Sequence, residues 1–302
     1  MLTIVYIFVP PFGMIKVKVF NTISETRKYL GALASNNISV GFVPTMGALH
    51  PGHLSLVRQA MESNNIVVVS VFVNPIQFND PKDLQKYPIR LEKDLGLLNN
   101  FLSSDDFVFV PSIEEMYPST VKKKYDFGYL GEVMEGLSRP GHFNGVGIVV
   151  DRLFRIVQPE RAYFGEKDFQ QLAIIRKMVE LENHPINIIG CPIIREDDGL
   201  AMSSRNQLLS SSLRKNAGVL YQSLLKAQSL SAIHTVEETC ELITRMINAM
   251  PGFKLEYVEF ADERTLRAIN NWIETDAIRC FIAVLAGKIR LIDNIKIEPP
   301  SK

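Results

Sequence analysis

Residues 41–70 read GFVPTMGALHPGHLSLVRQAMESNNIVVVS, and this stretch decides the fold. Its apolar start is followed by a turn that holds two glycines. Pro51 suits the first position of a helix, because its missing N–H costs nothing there. Apolar residues then recur at helical spacing from Leu54 to Met61. The continuous apolar run at 66–73 is typical of a strand buried on both faces of a parallel sheet. The stretch therefore predicts a β-α-β unit.

The turn of this unit lies where a strand ends and a helix begins, a place that favours anions. Gly47 and Gly52 let a phosphate approach the backbone, and their spacing matches a P-loop. However, His53 and Leu54 stand where a P-loop requires Lys and Ser or Thr. The glycine pattern of dinucleotide-binding folds is absent as well. The sequence thus excludes both of these phosphate-binding loops.

Two histidines remain as the chemical feature of the turn. His50 and His53 are three residues apart at a helix start and therefore lie on one side of it. Both can donate a hydrogen bond to a phosphate; alternatively, they cap the helix or lie at the surface. This turn holds two of the five histidines of the chain, which favours a ligand-binding role.

The segment PTMGALHPGH (44–53) resembles the H-x-G-H signature of the nucleotidylyltransferase superfamily, which is related to class I aminoacyl-tRNA synthetases. More narrowly, it resembles the pantoate–β-alanine ligase family. The same resemblance is carried by three further blocks, VSVFVNPIQF (69–78), RPGHFNGV with FGEKDFQQL (139–146, 164–172) and DGLAMSSRN (198–206). Together the blocks extend the resemblance from about residue 16 to residue 297.

The resemblance implies a set of site residues. It assigns ATP binding to Met46, Gly47, Ala48, Leu49, His50, Pro51, Gly52 and His53, to Gly165, Glu166, Lys167 and Asp168, and to Ile194, Met202, Ser203, Ser204 and Arg205. The catalytic residues among them are His53, His50, Lys167 and Arg205. Gln77 and Gln171 bind pantoate, and Gln77 also faces the incoming amine. Magnesium accompanies ATP, but the sequence identifies no metal ligands.

Several of these residues have a simpler reading. Gln77 could be an exposed loop amide and Lys167 an ordinary surface lysine. Ser203 or Ser204 could cap a helical turn, a role compatible with ligand binding. Arg139 and His142 either face an anion or fix their loop, and the sequence favours neither. Asp94, at a position where the family has an acidic residue near the phosphates, is expected to be a surface charge.

The predicted fold class is α/β. A Rossmann-like parallel-sheet domain at 14–195 binds ATP and pantoate, and a smaller α+β domain at 196–302 caps the ATP cleft. The predicted elements are a strand at 16–20, a helix at 24–35 capped by Ser24, a helix ending near 100, a strand at 107–110, helices at 151–157 and 169–182, strands at 162–164 and 187–194, helices at 210–230 and 235–250, a strand at 255–261 and a hairpin at 275–292. Residues 1–13 form an apolar extension, and Met14 is our hypothesis for the true initiator.

Composition limits the remaining classes. Lys and Arg equal Asp and Glu at 33 each, so no net field attracts nucleic acid, and a tRNA synthetase is disfavoured. Three distant cysteines fit a reducing cytoplasm. Residues 1–13 are too short to span a bilayer and lack the features of a signal peptide, so no membrane partner is expected. A homodimer is implied by the resemblance alone.

The function that the resemblance implies is ATP-dependent condensation of (R)-pantoate with β-alanine. An enzyme-bound pantoyl adenylate forms first, and β-alanine then displaces AMP. No covalent enzyme intermediate is required, in agreement with the absence of a Ser-His or Cys-His pattern. The alternatives are a nucleotidylyltransferase with another product and a non-catalytic nucleotide-binding protein.

Overall fold

The structure is a computed structural model that describes residues 17–33, 38–79, 84–85 and 87–298. The predicted extension at 1–13 and the hypothesis about Met14 lie outside these residues. The chain divides into two compact units. The first unit holds the described residues up to Glu166 together with Gln171–Pro192, and the second holds Lys167–Gln170 together with the chain from Ile193.

The first unit is built on a parallel sheet. Its six strands are β1 (Lys18–Phe20), β2 (Val40–Thr45), β3 (Ile66–Val71), β4 (Phe107–Phe109), β5 (Arg161–Gly165) and β6 (Asn187–Cys191). They pair in the order β1-β4-β3-β2-β5-β6, and every pair is parallel. In β3, Val68 packs into one hydrophobic cluster while Val67 and Val69 pack into another. The prediction of a strand buried on both faces is therefore confirmed.

Helices connect these strands. They are α1 (Ile23–Leu33), α2 (Pro51–Ser63), α3 (Leu91–Leu98), α4 (Ile113–Met116), α5 (Met134–Ser138), α6 (His142–Val157) and α7 (Phe169–Glu182). Pro51 occupies the first position of α2, as predicted. The predicted β-α-β unit therefore corresponds to β2, α2 and β3.

Two predicted helix starts are wrong. The cap of α1 is Thr22 rather than Ser24, because Thr22 Oγ1 accepts from the N–H of Glu25 and the Glu25 carboxylate accepts from the N–H of Thr22. Helix α6 begins at His142 rather than Asp151. Its glycine-rich first turns suggest a loop, but they form a helix.

The sheet has a topological switch point beside β2. From β2 the chain passes through α2 to β3 on one side, whereas β5 pairs with the other side of β2. Ligands of open α/β sheets bind outside the carboxyl ends of the strands at such a point. Strand β2 ends at Thr45 and β5 at Gly165. The histidine turn and the turn after β5 therefore start at this edge.

The second unit is α+β, as predicted. It contains α8 (Ser211–Asn216), α9 (Val219–Leu230), α10 (Val236–Asn248) and an antiparallel sheet of β7 (Phe253–Asp262), β8 (Ile278–Ala286) and β9 (Ile289–Ile297) in that order. The single helix predicted at 210–230 is wrong, because a turn at 217–218 divides it. One hydrophobic cluster, which includes Leu224, Ile243 and Ile282, forms the core of this unit.

Candidate active site

The turn between β2 and α2 bends sharply at Gly47 and Ala48, whose φ angles are +79° and +51°. A Cβ added to Gly47 would lie 3.0 Å from Asp94 Oδ2 and from Val71 Cγ1. Position 47 therefore requires glycine for both its backbone conformation and its packing. The bend delivers the chain to His50, which is the extended N-cap residue of α2.

The two histidines cap α2 reciprocally. Nδ1 of His50 accepts a hydrogen bond from the N–H of Gly52 at 3.2 Å, and Nδ1 of His53 accepts from the N–H of His50 at 3.3 Å. Their ring centroids are 4.0 Å apart. In neutral rings, Nδ1 acceptors place the protons on Nε2. The capping reading is thus correct, and it makes each Nε2–H a hydrogen-bond donor at a helix N-terminus.

Asp94 holds this turn, so its prediction as a surface charge is wrong. The residue is 1% exposed on α3, and its Oδ2 and Oδ1 accept from the N–H groups of Ala48 and Leu49 at 2.8 Å each. Burial raises the pKa of Asp94, and the two backbone hydrogen bonds oppose that rise. Asp94 shares a helix face with the buried Leu95 and Leu98, a periodicity that could have revealed it.

Gln77 lies in a short 3₁₀ turn after β3 and is buried, so the exposed-loop reading is wrong. Its Nε2 is 3.0 Å from Met46 Sδ, and its Oε1 accepts from Asn74 Nδ2 at 3.1 Å. Asn74 Nδ2 also donates to the Gly145 carbonyl at 3.1 Å. A Cβ on Gly145 would come within 2.7 Å of the Gln77 Cα. The lack of a side chain at Gly145 therefore allows a close approach that seats the Gln77 turn.

His142 and Arg139 fix this same region. Nδ1 of the buried His142 contacts the carbonyl oxygen of Gln77 at 2.9 Å, and its Nε2 contacts Arg139 Nη1 at 2.9 Å. A carbonyl can only accept and a guanidinium can only donate. The Nδ1–H of His142 thus donates to Gln77, and Nε2 accepts from Arg139. Of the two open readings, the structural one is correct for this contact.

The residues of the turn after β5 belong to both units. Gly165 ends β5, and Glu166 is the last residue of the first unit before the Lys167–Gln170 segment. Lys167 and Asp168 lie in a 3₁₀ turn ahead of α7, and Lys167 Nζ is 3.6 Å from Asp168 Oδ1. The Lys167 side chain is 18% exposed, less than an ordinary surface lysine. Gln171 belongs to the first unit, near the start of α7.

The third predicted ATP segment lies in the second unit and is a closed loop. The N–H of Met202 donates to the Ile194 carbonyl at 2.9 Å, which joins the two ends of the loop. Ser203 caps a 3₁₀ turn, with its Oγ accepting from the N–H of Arg205 at 3.3 Å. The expected capping role therefore belongs to Ser203, and Ser204 is the first residue of the turn.

Three further observations restrict the chemistry. Burial raises the pKa of the Cys191 and Cys240 thiols to about 11, and that of Cys280 also rises, so none of the three is a ready nucleophile. Within the part of the chain that the structure describes, no group of three or more metal-ligating side chains is present. No helix among those residues is long and apolar enough to cross a membrane.

Comparison with known proteins identifies the family. The family model described as pantoate-beta-alanine ligase matches residues 18–296. The chain belongs to the pantoate-β-alanine ligase family. Its relatives include the pantothenate synthetase of Bacteroides fragilis (strain YCH46), which is 50% identical over 282 residues, covering 93% of this chain and 99% of that protein.

Solved structures of the pantoate-β-alanine ligase family agree. The crystal structure of pantothenate synthetase from Thermus thermophilus has a TM-score of 0.85 and 42% identity, covering 93% of this chain and 99% of that one. The structure of pantoate-β-alanine ligase from Francisella tularensis, complexed with beta-gamma ATP and β-alanine, has a TM-score of 0.76 and 36% identity, covering 92% and 97%. The resemblance read from the four sequence blocks is confirmed.

Of the predicted site residues, Met46 contacts Gln77 in the first unit, and Ile194 is hydrogen-bonded to Met202 in the second. The sequence predicts a surface charge at Asp94 and does not single out Asn74, yet these two residues hold the histidine turn and Gln77. Asn74 directly precedes a proline and accepts from the N–H of Ile76, an N-cap pattern that a sequence can reveal.

Proposed function

We propose that this protein condenses (R)-pantoate with β-alanine to form pantothenate, using ATP and releasing AMP and pyrophosphate. The reciprocal cap formed by His50 and His53 carries the proposal. It orients two imidazole Nε2–H donors at a helix N-terminus and at the switch point of the sheet. Membership in the family, and the ATP and β-alanine named in the Francisella complex, support the choice of substrates.

The first chemical step forms pantoyl adenylate. A carboxylate oxygen of pantoate attacks the α-phosphorus of ATP, and the bond to the pyrophosphate oxygen breaks. Negative charge grows on the phosphate oxygens during this exchange. Donors and cations fixed in advance stabilise that charge without reorganising. We assign the donor role to His50 and His53, with His53 also as proton donor, and the cationic role to Lys167 and Arg205.

The second step forms the amide. The amine of β-alanine attacks the acyl carbon, the bond to the AMP oxygen breaks, and the amine loses a proton. No enzyme nucleophile takes part, which agrees with the raised pKa values of the three thiols. The buried Gln77 is fixed by Asn74 and offers its amide to pantoate and to the incoming amine. Gln171 is its proposed partner in binding pantoate.

The remaining ATP contacts come from the segments around residues 46–53, 165–168, 194 and 202–205. The N–H groups of Ala48 and Leu49 already donate to Asp94, so contact of these residues with ATP would use their other atoms. Magnesium enters as the MgATP complex, since Mg²⁺ is usually held by substrate phosphates with one or two carboxylates.

Three broader features are also proposals. Residues 14–195 are the proposed ATP- and pantoate-binding domain, and residues 196–302 are the proposed smaller second domain. The protein works in the cytoplasm, where its three free cysteines stay reduced. It forms a homodimer, an expectation from family resemblance that light scattering of the purified protein checks directly.

The test is AMP formation from MgATP with pantoate and β-alanine supplied singly and together. The proposal predicts AMP only with both acids, and pyrophosphate exchange into ATP with pantoate alone. ATP binding without exchange for pantoate would contradict the proposed substrate. Exchange with a different carboxylate would point to another adenylating activity of the same fold.

A further inference from the structure

Two adjacent polar residues interrupt the apolar core of the second unit. Asp293 and Asn294 lie side by side in β9, and each is 2% exposed. Strand neighbours point to opposite faces, so the two side chains leave the strand in different directions. A buried polar side chain destabilises the fold unless it is hydrogen-bonded. Their partners therefore indicate why they are there.

Asn294 is bound to the turn that carries Lys167. Its Nδ2 donates to the Lys167 carbonyl at 3.0 Å, and its Oδ1 accepts from Arg279 Nη1 at 2.7 Å. Arg279 is itself held by Glu263 at 3.0 Å, and its guanidinium lies 4.0 Å from the ring centre of Phe169. These contacts all lie inside the second unit, which includes Lys167–Gln170. The NH₂ group of Asn294 thus binds the Lys167 turn directly, and its oxygen binds Arg279, which packs on Phe169 just after that turn.

Asp293 is bound to the loop that carries Arg205. Its carboxylate, with a side chain 0% exposed, receives two hydrogen bonds from Arg195, at 2.6 and 3.1 Å. Arg195 Nη1 also donates to the Gly199 carbonyl at 3.0 Å, and its guanidinium lies 3.9 Å from the ring centre of Tyr221. Arg195 forms a β-bridge with Ala201. Asp293 thus fixes the base of the loop that leads to residues 202–205.

We propose that Asp293 and Asn294 are positioning residues for adenylate formation, because one rigid strand anchors both cationic segments of the second unit. This inference rests on the proposed function. Lys167 and Arg205 come from separate parts of the chain, 38 positions apart by their numbers, 205 against 167. The strand fixes the backbone at Lys167 directly and, through Arg195, the base of the loop that carries Arg205.

The replacement Asn294→Asp separates positioning from simple stability. Aspartate has the shape of asparagine and keeps an acceptor for Arg279. It loses the donor to the Lys167 carbonyl and places an oxygen against that carbonyl instead. We expect the turnover of pantoate-dependent pyrophosphate exchange to fall about tenfold to a hundredfold, the range that displacement of a catalytic group by about 1 Å produces. The KM for pantoate should stay within about twofold, because Gln77 and Gln171 belong to the first unit.

Thr239→Val is the matched control. Thr239 is 0% exposed in the same unit, and its hydroxyl donates to the Thr235 carbonyl at 2.8 Å. The valine variant also loses one buried donor to a carbonyl, but that bond lies at the start of α10 and involves neither Lys167 nor the 194–205 loop. Its urea midpoint of unfolding should fall by about as much as that of Asn294→Asp. Its rate of pyrophosphate exchange should equal that of the unchanged protein.

The outcomes are distinct. No exchange in the unchanged protein would contradict the proposed function itself. Exchange in the unchanged protein that is equally fast in Asn294→Asp would overturn the positioning role. If Asn294→Asp does not fold, Asn294→Ser takes its place, since serine reaches neither partner. Measured below the unfolding transition of both variants, its turnover must then fall below that of Thr239→Val, and equality would overturn the inference.

Discussion

The carboxylate of Asp94 is the most informative position at which to perturb the histidine turn. Each oxygen accepts one backbone N–H at 2.8 Å, from Ala48 and from Leu49. The variant Asp94→Asn keeps one oxygen and turns an NH₂ group toward the other N–H. A hydrogen bond to a charged group contributes about 1.5–3 kcal/mol, and an unmet buried donor costs about 1–3 kcal/mol. Relief of the buried charge offsets part of this loss, so we expect about 2 kcal/mol of destabilisation.

The activity of Asp94→Asn should fall further than its stability implies. The turn that it releases sets the position of His50, and hence of both imidazole rings. A shift of about 1 Å in a catalytic group lowers the rate about a hundredfold. We therefore expect pantoate-dependent pyrophosphate exchange to fall by about that factor. Exchange is measured below the urea transition, with the unfolding free energy from the same preparation.

Asp106 provides the matched control for this variant. It is 3% exposed in the same unit, and its carboxylate accepts from the N–H groups of Val67 at 2.6 Å and Ser103 at 2.7 Å. Val67 lies near the amino end of β3, whereas the histidine turn begins at the opposite, carboxyl edge of the sheet. Asp106→Asn should lose similar stability and retain exchange. Equal exchange in the two variants would show that Asp94 does not position the two histidines.

Three further changes test His53, the seat of Gln77 and the buried carboxylate of Asp262. In His53→Ala, turnover should fall about a hundredfold or more, because one fixed donor to the transition state is lost. In Gly145→Ala, the new Cβ would lie 2.7 Å from the Gln77 Cα, so crowding of about 1–3 kcal/mol should raise the KM for pantoate about tenfold. Burial raises the pKa of Asp262, but hydrogen bonds from Thr275 and Thr265 outweigh it and lower the pKa from 3.8 to about 2. Asp262 therefore stabilises the fold above about pH 4, and this contribution is lost as the pH falls toward 2.

Each of these changes has its own control. His53→Asn keeps an acceptor for the His50 N–H but removes the Nε2–H, so its turnover should match that of His53→Ala with a more stable fold. For Gly145→Ala, the KM for ATP should stay nearly constant; a shared rise in both KM values would contradict seating of Gln77. Between pH 4 and pH 2, the free energy of unfolding from urea titrations should fall less in Asp262→Asn than in the unchanged protein. An equal fall in both proteins would count against the role of Asp262.

Local signals predicted the β-α-β unit well. All of its signals lie within the 30 residues from 41 to 70: the hydrophobic periodicity, Pro51 and the paired histidines. Short-range patterns also left open whether the histidines cap or bind, and the geometry of the cap makes the two roles compatible. The α6 start at His142 was missed because the glycines that suggest a loop serve close packing instead, with Gly145 against Gln77.

Long-range polar contacts could not be predicted from the sequence. Asp94 reaches across 46 positions to Ala48, and Asn294 reaches across 127 positions to Lys167. The periodicity of α3 indicates that Asp94 is buried but not which backbone groups it meets, and no local pattern points from Asn294 to Lys167. Such side chains look like surface polar groups in a helix or ordinary members of a strand. Their roles appear only when the fold places them against a backbone group that needs a partner.

Activation of pantoate as an adenylate can be followed with pantoate that carries ¹⁸O in its carboxylate. The attacking oxygen becomes bonded to the α-phosphorus and leaves with AMP when β-alanine attacks the acyl carbon. Mass spectrometry should therefore find one ¹⁸O atom in each AMP and none in pyrophosphate. Unlabelled AMP, or label in inorganic phosphate beside ADP, would contradict the account.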